Sequence, residues 1–394
     1  MKKLIALLLL LPALLCAACS KEAETPAPTK KPIALTLEPA NDLLPEFVRE
    51  RWLIDDTLMV MRHSGVWKLL SLTTGETITL TRAEDFIPVS DIEKRFSGEL
   101  QWLGGPQAKY LRVVEGAGYA LSRTNSYTRL VNMETGMVHS AVPVGEYGRS
   151  GVTPVGDVFI ADKYELKLCA IDGTVLQTIW MEEAKGRIMS VLPYEDGFAI
   201  LSAAEIETRS EPVGALPALN NTCDAYLTLT DEQLRVQSVR RLGTLPWIYA
   251  KYDSMYRLDG DRFLICPGDC CGLLLVDRKG IRRVMLVQDG QMAVVPYEDT
   301  AETLDAMLNT WIWLWGVSKD KSYALFFSRL EGQEGLYSLN LRTFEITLQM
   351  TLAELEALSP DTDWDSRTVY WPGGEYLTDG DDNLYRIVEK TESK

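Results

Sequence analysis

VTPVGDVFIADKYELKLCAIDGTVLQ (152–177) decides the reading of the fold. An apolar run, GDVFIAD, meets a polar break at Lys163-Tyr164. A second run, ELKLCAI, ends at the tight-turn pair Asp172-Gly173, and VLQ follows. Strands, not helices, suit such short runs of β-branched and aromatic residues bounded by turn residues. A Gly that supplies a positive φ closes a two-residue hairpin. The segment therefore predicts an antiparallel meander. The same punctuation recurs at Thr74-Gly75, Thr135-Gly136, Asp231-Glu232, Lys279-Gly280 and Thr343-Phe344. Its spacing is uneven, as expected for four-stranded units with loop insertions.

Working outward, the units fall at about 47–82, 97–143, 150–182, 187–243, 250–288 and 308–351. A seventh, from about 365 to 392, has three strands: TVYW, EYLTD and NLYRIVE. PIALTLE (33–39) stands alone at the other end and is suited to supply the missing outer strand. The prediction is an all-β propeller of about seven four-stranded blades, closed into a ring by this N-terminal strand, which removes open edges. Six or eight blades are the alternatives, because the second unit has a long lead-in. The 152–177 segment resembles an NHL-type repeat. SKDKSYALFFSRLEGQEGLYSLNL (318–341) is similar to the repeat of TolB-type propellers, with Lys321 where that family has Gly. Each resemblance covers one blade and implies a fold, not an activity.

The N-terminus gives an address. Lys2 and Lys3 precede an apolar run, Leu4 to Ala18, that is short of the roughly 20 residues of a spanning helix. Residues 1–18 thus read as an export signal. Ala17 and Ala18 stand directly before Cys19, a pattern that resembles the lipobox of bacterial lipoproteins, with Cys16 where that family usually has Leu. The resemblance implies acylation at Cys19 and attachment to a membrane through acyl chains. Residues 19–33 are the acylated Cys and a Pro-interrupted tether. Residues 20–33 span at most about 45 Å at roughly 3.3 Å each. Residues 34–394 form the propeller domain. The expected location is extracytoplasmic, at the cell envelope.

Composition excludes other classes. The 394 residues hold 40 Lys and Arg against 56 Asp and Glu, a net charge of −16. Loss of Lys2 and Lys3 leaves 38 against 56, or −18. Such a field repels phosphate backbones, so nucleic acid is not an expected partner. Two histidines cannot build a His-rich metal centre. His63, beside Ser64, and His139 lack a G-x-S-x-G elbow, and no P-loop occurs.

The remaining candidates are loop residues. The long segments 81–96, 203–222, 289–307 and 351–364 are assigned to connections that share one end of the meanders. Two carry helical signals: Leu304, Met307 and Leu308 repeat at helical spacing, and Thr351 with Glu354 forms a capping box. Phe86, Tyr147, Trp247, Tyr297 and Trp364 fall in the same set of connections and are the binding-face candidates. Trp311, Trp313 and Trp315 alternate in TWIWLWG, which places them on one face of an inner strand, where wedge packing between blades is the better reading. Asp361, Asp363 and Asp365 have a D-x-D-x-D spacing that presents oxygens to Ca²⁺, without the closing Gly and acid; otherwise no cofactor is expected. Asp379, Asp381 and Asn383 repeat the spacing with no closing carboxylate. CPGDCC (266–271) reads as a hairpin with Cys266 opposite Cys271, a separation compatible with a disulfide in an exported protein. The expected function is a lipid-anchored propeller that binds a protein or an envelope component through its loop-rich face. The alternative is a propeller enzyme, a lyase, lactonase or glycan hydrolase, with carboxylates in the central funnel. The fold does not decide between them.

Overall fold

The computed structural model describes residues 34–394 except 46–47, 55, 63–66, 83–93, 103–109, 118–125, 133–134, 136, 139–141, 145–148, 154–156, 163, 171–173, 182–185, 209–220, 247–254, 268–270, 287–289, 363, 365–368, 380–382 and 391–394. The described strands form seven sheets that follow one another along the chain. Sheet 1 holds Val48–Ile54, Thr57–Arg62, Trp67–Ser71 and Thr77–Thr79. Sheet 2 holds Lys94–Trp102, Tyr110–Ala117, Ser126–Asn132, Met137–Val138 and Val142–Val144, and Thr81–Arg82 joins it in parallel with 137–138. Sheet 3 holds Arg149–Val152, Val158–Asp162, Glu165–Cys169 and Val175–Trp180. Sheet 4 holds Arg187–Tyr194, Gly197–Thr208, Asn221–Thr230 and Val236–Pro246. Sheet 5 holds Met255–Arg257, Phe263–Ile265, Leu274–Asp277, Gly280–Leu286 and Met292–Pro296. Sheet 6 holds Ile312–Val317, Tyr323–Ser328, Gly335–Asn340 and Ile346–Thr351. Sheet 7 combines the two ends of the body: Tyr376–Thr378, Leu384–Glu389 and, paired antiparallel to the latter, Leu35–Pro39. The chain is thus all-β, with four-stranded meanders as its repeated unit.

Burial explains why the central strands read as continuous apolar runs. Leu325, Phe326 and Phe327 are consecutive and fully buried, and so are Phe263, Leu264 and Ile265. A strand covered on both faces loses the alternation of a half-buried one. Apolar clusters fill the wedges between sheets 3 and 4, 4 and 5, 5 and 6, and 7 and 1. Each fully buried Leu or Phe contributes roughly 1.5–3 kcal/mol to this packing.

Every sheet touches the next. Sheets 1 to 6 meet their successors in order, and sheet 7 meets both sheet 6 and sheet 1. Polar bonds repeat across four of these seams. Arg240 Nη1 donates to Asp277 O at 2.6 Å, between sheets 4 and 5. Arg262 Nη1 donates to Leu341 O at 2.5 Å, between sheets 5 and 6. Lys319 N donates to Gly373 O at 2.9 Å, between sheets 6 and 7. Glu375 N donates to Asp56 Oδ1 at 2.7 Å, between sheets 7 and 1.

Among the described residues two short α-helices interrupt the strands. Ala301–Leu308 starts at Thr300, whose side chain accepts from Thr303 N, and buries Leu304, Met307 and Leu308. Leu352–Leu358 starts at Thr351 with the capping box to Glu354 formed in both directions. Several expectations are corrected. Thr81–Arg82 and Lys94–Trp102 take up both ends of the 81–96 connection, and Gly197–Thr208 and Asn221–Thr230 both ends of the 203–222 one. Residues 289–307 are not a plain connection, because Met292–Pro296 adds a fifth strand to sheet 5. Tyr297 N donates to Ile281 O at 2.8 Å, so the chain is carried back beside the Lys279-Gly280 turn before the 301–308 helix begins. That helix lies against the outer strand of sheet 4.

Candidate functional site

Of the five aromatic binding candidates, Phe86, Tyr147 and Trp247 lie outside the described residues, as do Cys19, Asp363 and Asp365. The remaining two are held in the body. Trp364 is corrected from an exposed anchor to a core residue, with only 2% of its surface exposed. Its ring lies 6.1 Å from Trp315 and 5.2 Å from Tyr385, and its Nε1 donates to Ser359 O at 3.3 Å. The 352–358 helix brings the chain back over the sheet, so a loop Trp finds an apolar wedge instead of solvent. Trp315 is buried too, stacked on Phe327 at 6.3 Å. Trp311 and Trp313 are half-buried and 5.9 Å apart. They pack with Leu304, Leu308 and Cys271. The Trp run is wedge packing, as its alternation suggested.

Tyr297 is half-buried within a charged latch. Its hydroxyl donates to Thr244 O at 3.1 Å. Beside it, Arg241 Nη2 donates to Asp224 Oδ1 at 2.8 Å, Nε donates to Asp224 Oδ2 at 3.2 Å, and Nη1 pairs with Asp299. Thr244 N donates to Asp299 Oδ1 at 2.9 Å. Gly243, with φ +124°, lets the Tyr297 ring approach, since a Cβ there would stand 2.7 Å from its oxygen. Burial disfavours ionised Asp299, yet the Thr244 amide and Arg241 outweigh it and hold the carboxyl below its ordinary range. Burial first, then the charge of Asp299, pushes the Tyr297 hydroxyl up. The guanidinium is engaged on both sides. The latch therefore clamps the segment after the fifth strand onto sheet 4.

The acidic pair of signals separates likewise. Asp361 is exposed. Asp379 is buried and accepts from Thr362 Oγ1 at 2.7 Å, Asn383 N at 2.8 Å, Asn383 Nδ2 at 2.9 Å and Tyr385 Oη at 3.0 Å. Those bonds tie Asp379 and Asn383 to the segment after the 352–358 helix. Among the described residues no group of three or more His, Cys, Asp or Glu is placed to hold a metal ion.

The cysteine hairpin differs in register from its reading. Phe263 pairs with Val276, Leu264 with Leu275 and Ile265 with Leu274. One step further along this ladder sets Cys266 across from Leu273, not Cys271. Cys271 instead bridges to Trp311 and Ile312 of sheet 6. The loop is longer than CPGDCC implied because Gly272 and Leu273 precede the second strand.

The sequence reading passed over one surface. Val175, Leu176 and Trp180 on the outer strand of sheet 3 are exposed, as is Tyr164 in the turn beside them. Its signal in the sequence was negative: from Val175 to Trp180 no residue carries a charge.

No protein-family model matches the chain, and no curated protein matches it. Solved structures similar to it include hydrazine synthase from Kuenenia stuttgartiensis, at 12% identity and TM-score 0.41 over 93% of this chain and 99% of that one. A chain of the mitotic checkpoint complex shares 9% identity at TM-score 0.47, over 94% and 99%. The C-terminal WD40 domain of Sif2 shares 12% identity at TM-score 0.42, over 86% and 94%.

Proposed function

We propose that the chain is a lipid-anchored extracytoplasmic β-propeller that serves as a binding scaffold for a protein or an envelope component. The observation that carries the reading is the cyclic order of sheet contacts, with sheet 7 built from both ends of the body. On this reading the seven sheets are seven blades, and Leu35–Pro39 closes the ring. Closure fixes the loops on a rigid frame, which is how propellers present binding surfaces. The anchor rests on the signal and Cys19 alone. The binding end is the one where Gly197–Thr208 ends and Asn221–Thr230 begins in sheet 4, and where the 352–358 helix follows sheet 6. Its chemistry is acidic: Glu356 and Asp361 are exposed there. Buried Trp364 takes no part in it.

Two measurements test this. Cys19→Ala should abolish palmitate labelling and move the protein out of the membrane fraction; labelling that persists overturns the anchor. A photo-crosslinking residue at position 356 or 361 should yield one defined adduct in intact cells, whereas positions 232 and 342, at the opposite ends of sheets 4 and 6, should not. Adducts from the second pair alone overturn the assignment of the end.

A further inference from the structure

We propose that the outer strand of sheet 3, Val175–Trp180, is a docking edge for an extended segment of a partner protein, uncharged along the strand and basic at its ends. The site lies on the outer rim of sheet 3 and runs from Val175, beside the turn to Glu165–Cys169, to Trp180 at the loop-rich end.

An edge strand presents unpaired N–H and C=O groups and recruits another strand unless it is short, charged or covered. Several other described edges use one of these devices. Thr77–Thr79 is three residues long. Val236–Pro246 carries Arg240 and Arg241 in ion pairs and seam bonds. Gly280–Leu286 is covered by Met292–Pro296, and Leu384–Glu389 by Leu35–Pro39. Ile346–Thr351 is met by Leu35 N, which donates to Gln349 Oε1 at 2.5 Å, and by Lys390 Nζ, which donates to Gln349 O at 2.6 Å. Val175–Trp180 pairs, among the described strands, with Glu165–Cys169 and nothing else. It has no charge and no proline, and beyond the register shift at Leu176 its regular edge is Gln177–Trp180.

The strand is also dressed for pairing. Trp180 is 66% exposed, Leu176 50% and Val175 51%. The ladder tells which backbone groups face outward. Met181 N donates to Tyr164 O at 2.7 Å, and Trp180 stands opposite Glu165 and Thr178 opposite Lys167. Hydrogen-bonded and non-hydrogen-bonded pairs alternate in an antiparallel ladder. Trp180 and Thr178 therefore aim N–H and C=O away from sheet 3. A segment added there gains main-chain bonds, and Thr178 and Trp180 supply side-chain contacts on one face.

Area and charge select the occupant. Six residues span about 20 Å. Two copies joined edge to edge over that length fall short of the roughly 800 Å² per partner of a stable interface. A peptide-like segment needs no more than the strand itself. A net charge of −16 favours a segment with basic ends.

The test uses full-length protein and the acetylated peptide Lys-Lys-Thr-Val-Thr-Val-Thr-Val-Lys-Lys, followed by amide exchange. Exchange in the 174–181 segment should slow at least tenfold at saturating peptide, and less with Glu in place of the four Lys. Thr178→Pro removes an outward N–H and leaves the native ladder intact, so it should abolish the protection without shifting the unfolding midpoint. If that variant fails to fold, Trp180→Lys serves in its place. No protection at 1 mM peptide, or protection undiminished in either folded variant, overturns the proposal. Protection that rises with protein concentration alone assigns the edge to a second copy and overturns the occupant.

Discussion

Three side chains show how residue environment sets behaviour. Trp364 fills the space between Trp315 and Tyr385. Trp364→Ala should cost about 3–5 kcal/mol, as for other buried aromatics, read as the change in urea midpoint at constant slope. A variant with wild-type stability would return Trp364 to the surface. At Asp379, burial opposes the charge, but bonds from Asn383, Thr362 and Tyr385 outweigh it and depress the carboxyl pKa. A depressed carboxyl contributes stability that is complete above the unfolded value near 3.9 and fades as pH falls through the lower folded value. Asp379→Asn should thus lower stability at pH 7 by about 1–3 kcal/mol and flatten the loss as pH falls below the unfolded value. An unchanged acid limb would show that other carboxylates govern it. Cys223 is buried, and desolvation, with a smaller push from Asp224, raises its thiol to about 12. Iodoacetamide at pH 8 should leave Cys223 unmodified in the native protein and label it on unfolding; prompt labelling of the folded protein would contradict this burial.

At the scale of elements, what could be read depended on whether local chemistry or distant packing decided the outcome. The capping box at Thr351 and Glu354 formed as read, because both partners are three residues apart. Leu304, Met307 and Leu308 face the core for the same local reason. The fifth strand at Met292–Pro296 was missed. Its five residues, MAVVP, are too few to establish a period, and its partner strand alone makes it a strand. Trp364 misled for a related reason: a loop position says nothing of which wedge the loop folds back over. The Cys266–Cys271 hairpin failed by two residues, which only the register of the flanking strands reveals. Close approach at a seam carries its own prediction. Gly316 leaves no room for a side chain, since a Cβ there would overlap the carbonyl oxygen of Trp371. Trp371 N donates to Trp315 O at 3.3 Å across this contact between sheets 6 and 7. Gly316→Ala should therefore lower the unfolding midpoint, whereas Gly332→Ala, in open space at φ +75°, should lower it less. Equal effects would show that backbone strain, not the seam, dominates.

The whole molecule turns on one long-range pairing. Each meander is locally encoded by its turns, but the chain order of sheets could equally run out as an open row. Leu35–Pro39 lies beside Leu384–Glu389, with Thr36 opposite Val388 and Leu37 opposite Ile387, and on the proposed reading this pairing closes the ring. Deleting 33–39 should expose the ladder groups of the last sheet and replace cooperative unfolding with aggregation. The most direct measurement links the two ends of the body. In Thr36→Cys with Val388→Cys, mild oxidation followed by proteolysis and mass spectrometry should recover the peptides containing 36 and 388 as one disulfide-joined species, with no fall in the thermal midpoint. Two reduced thiols under the same oxidation, or a cross-link that forms only in unfolded protein, would contradict a ring closed by its N-terminal strand.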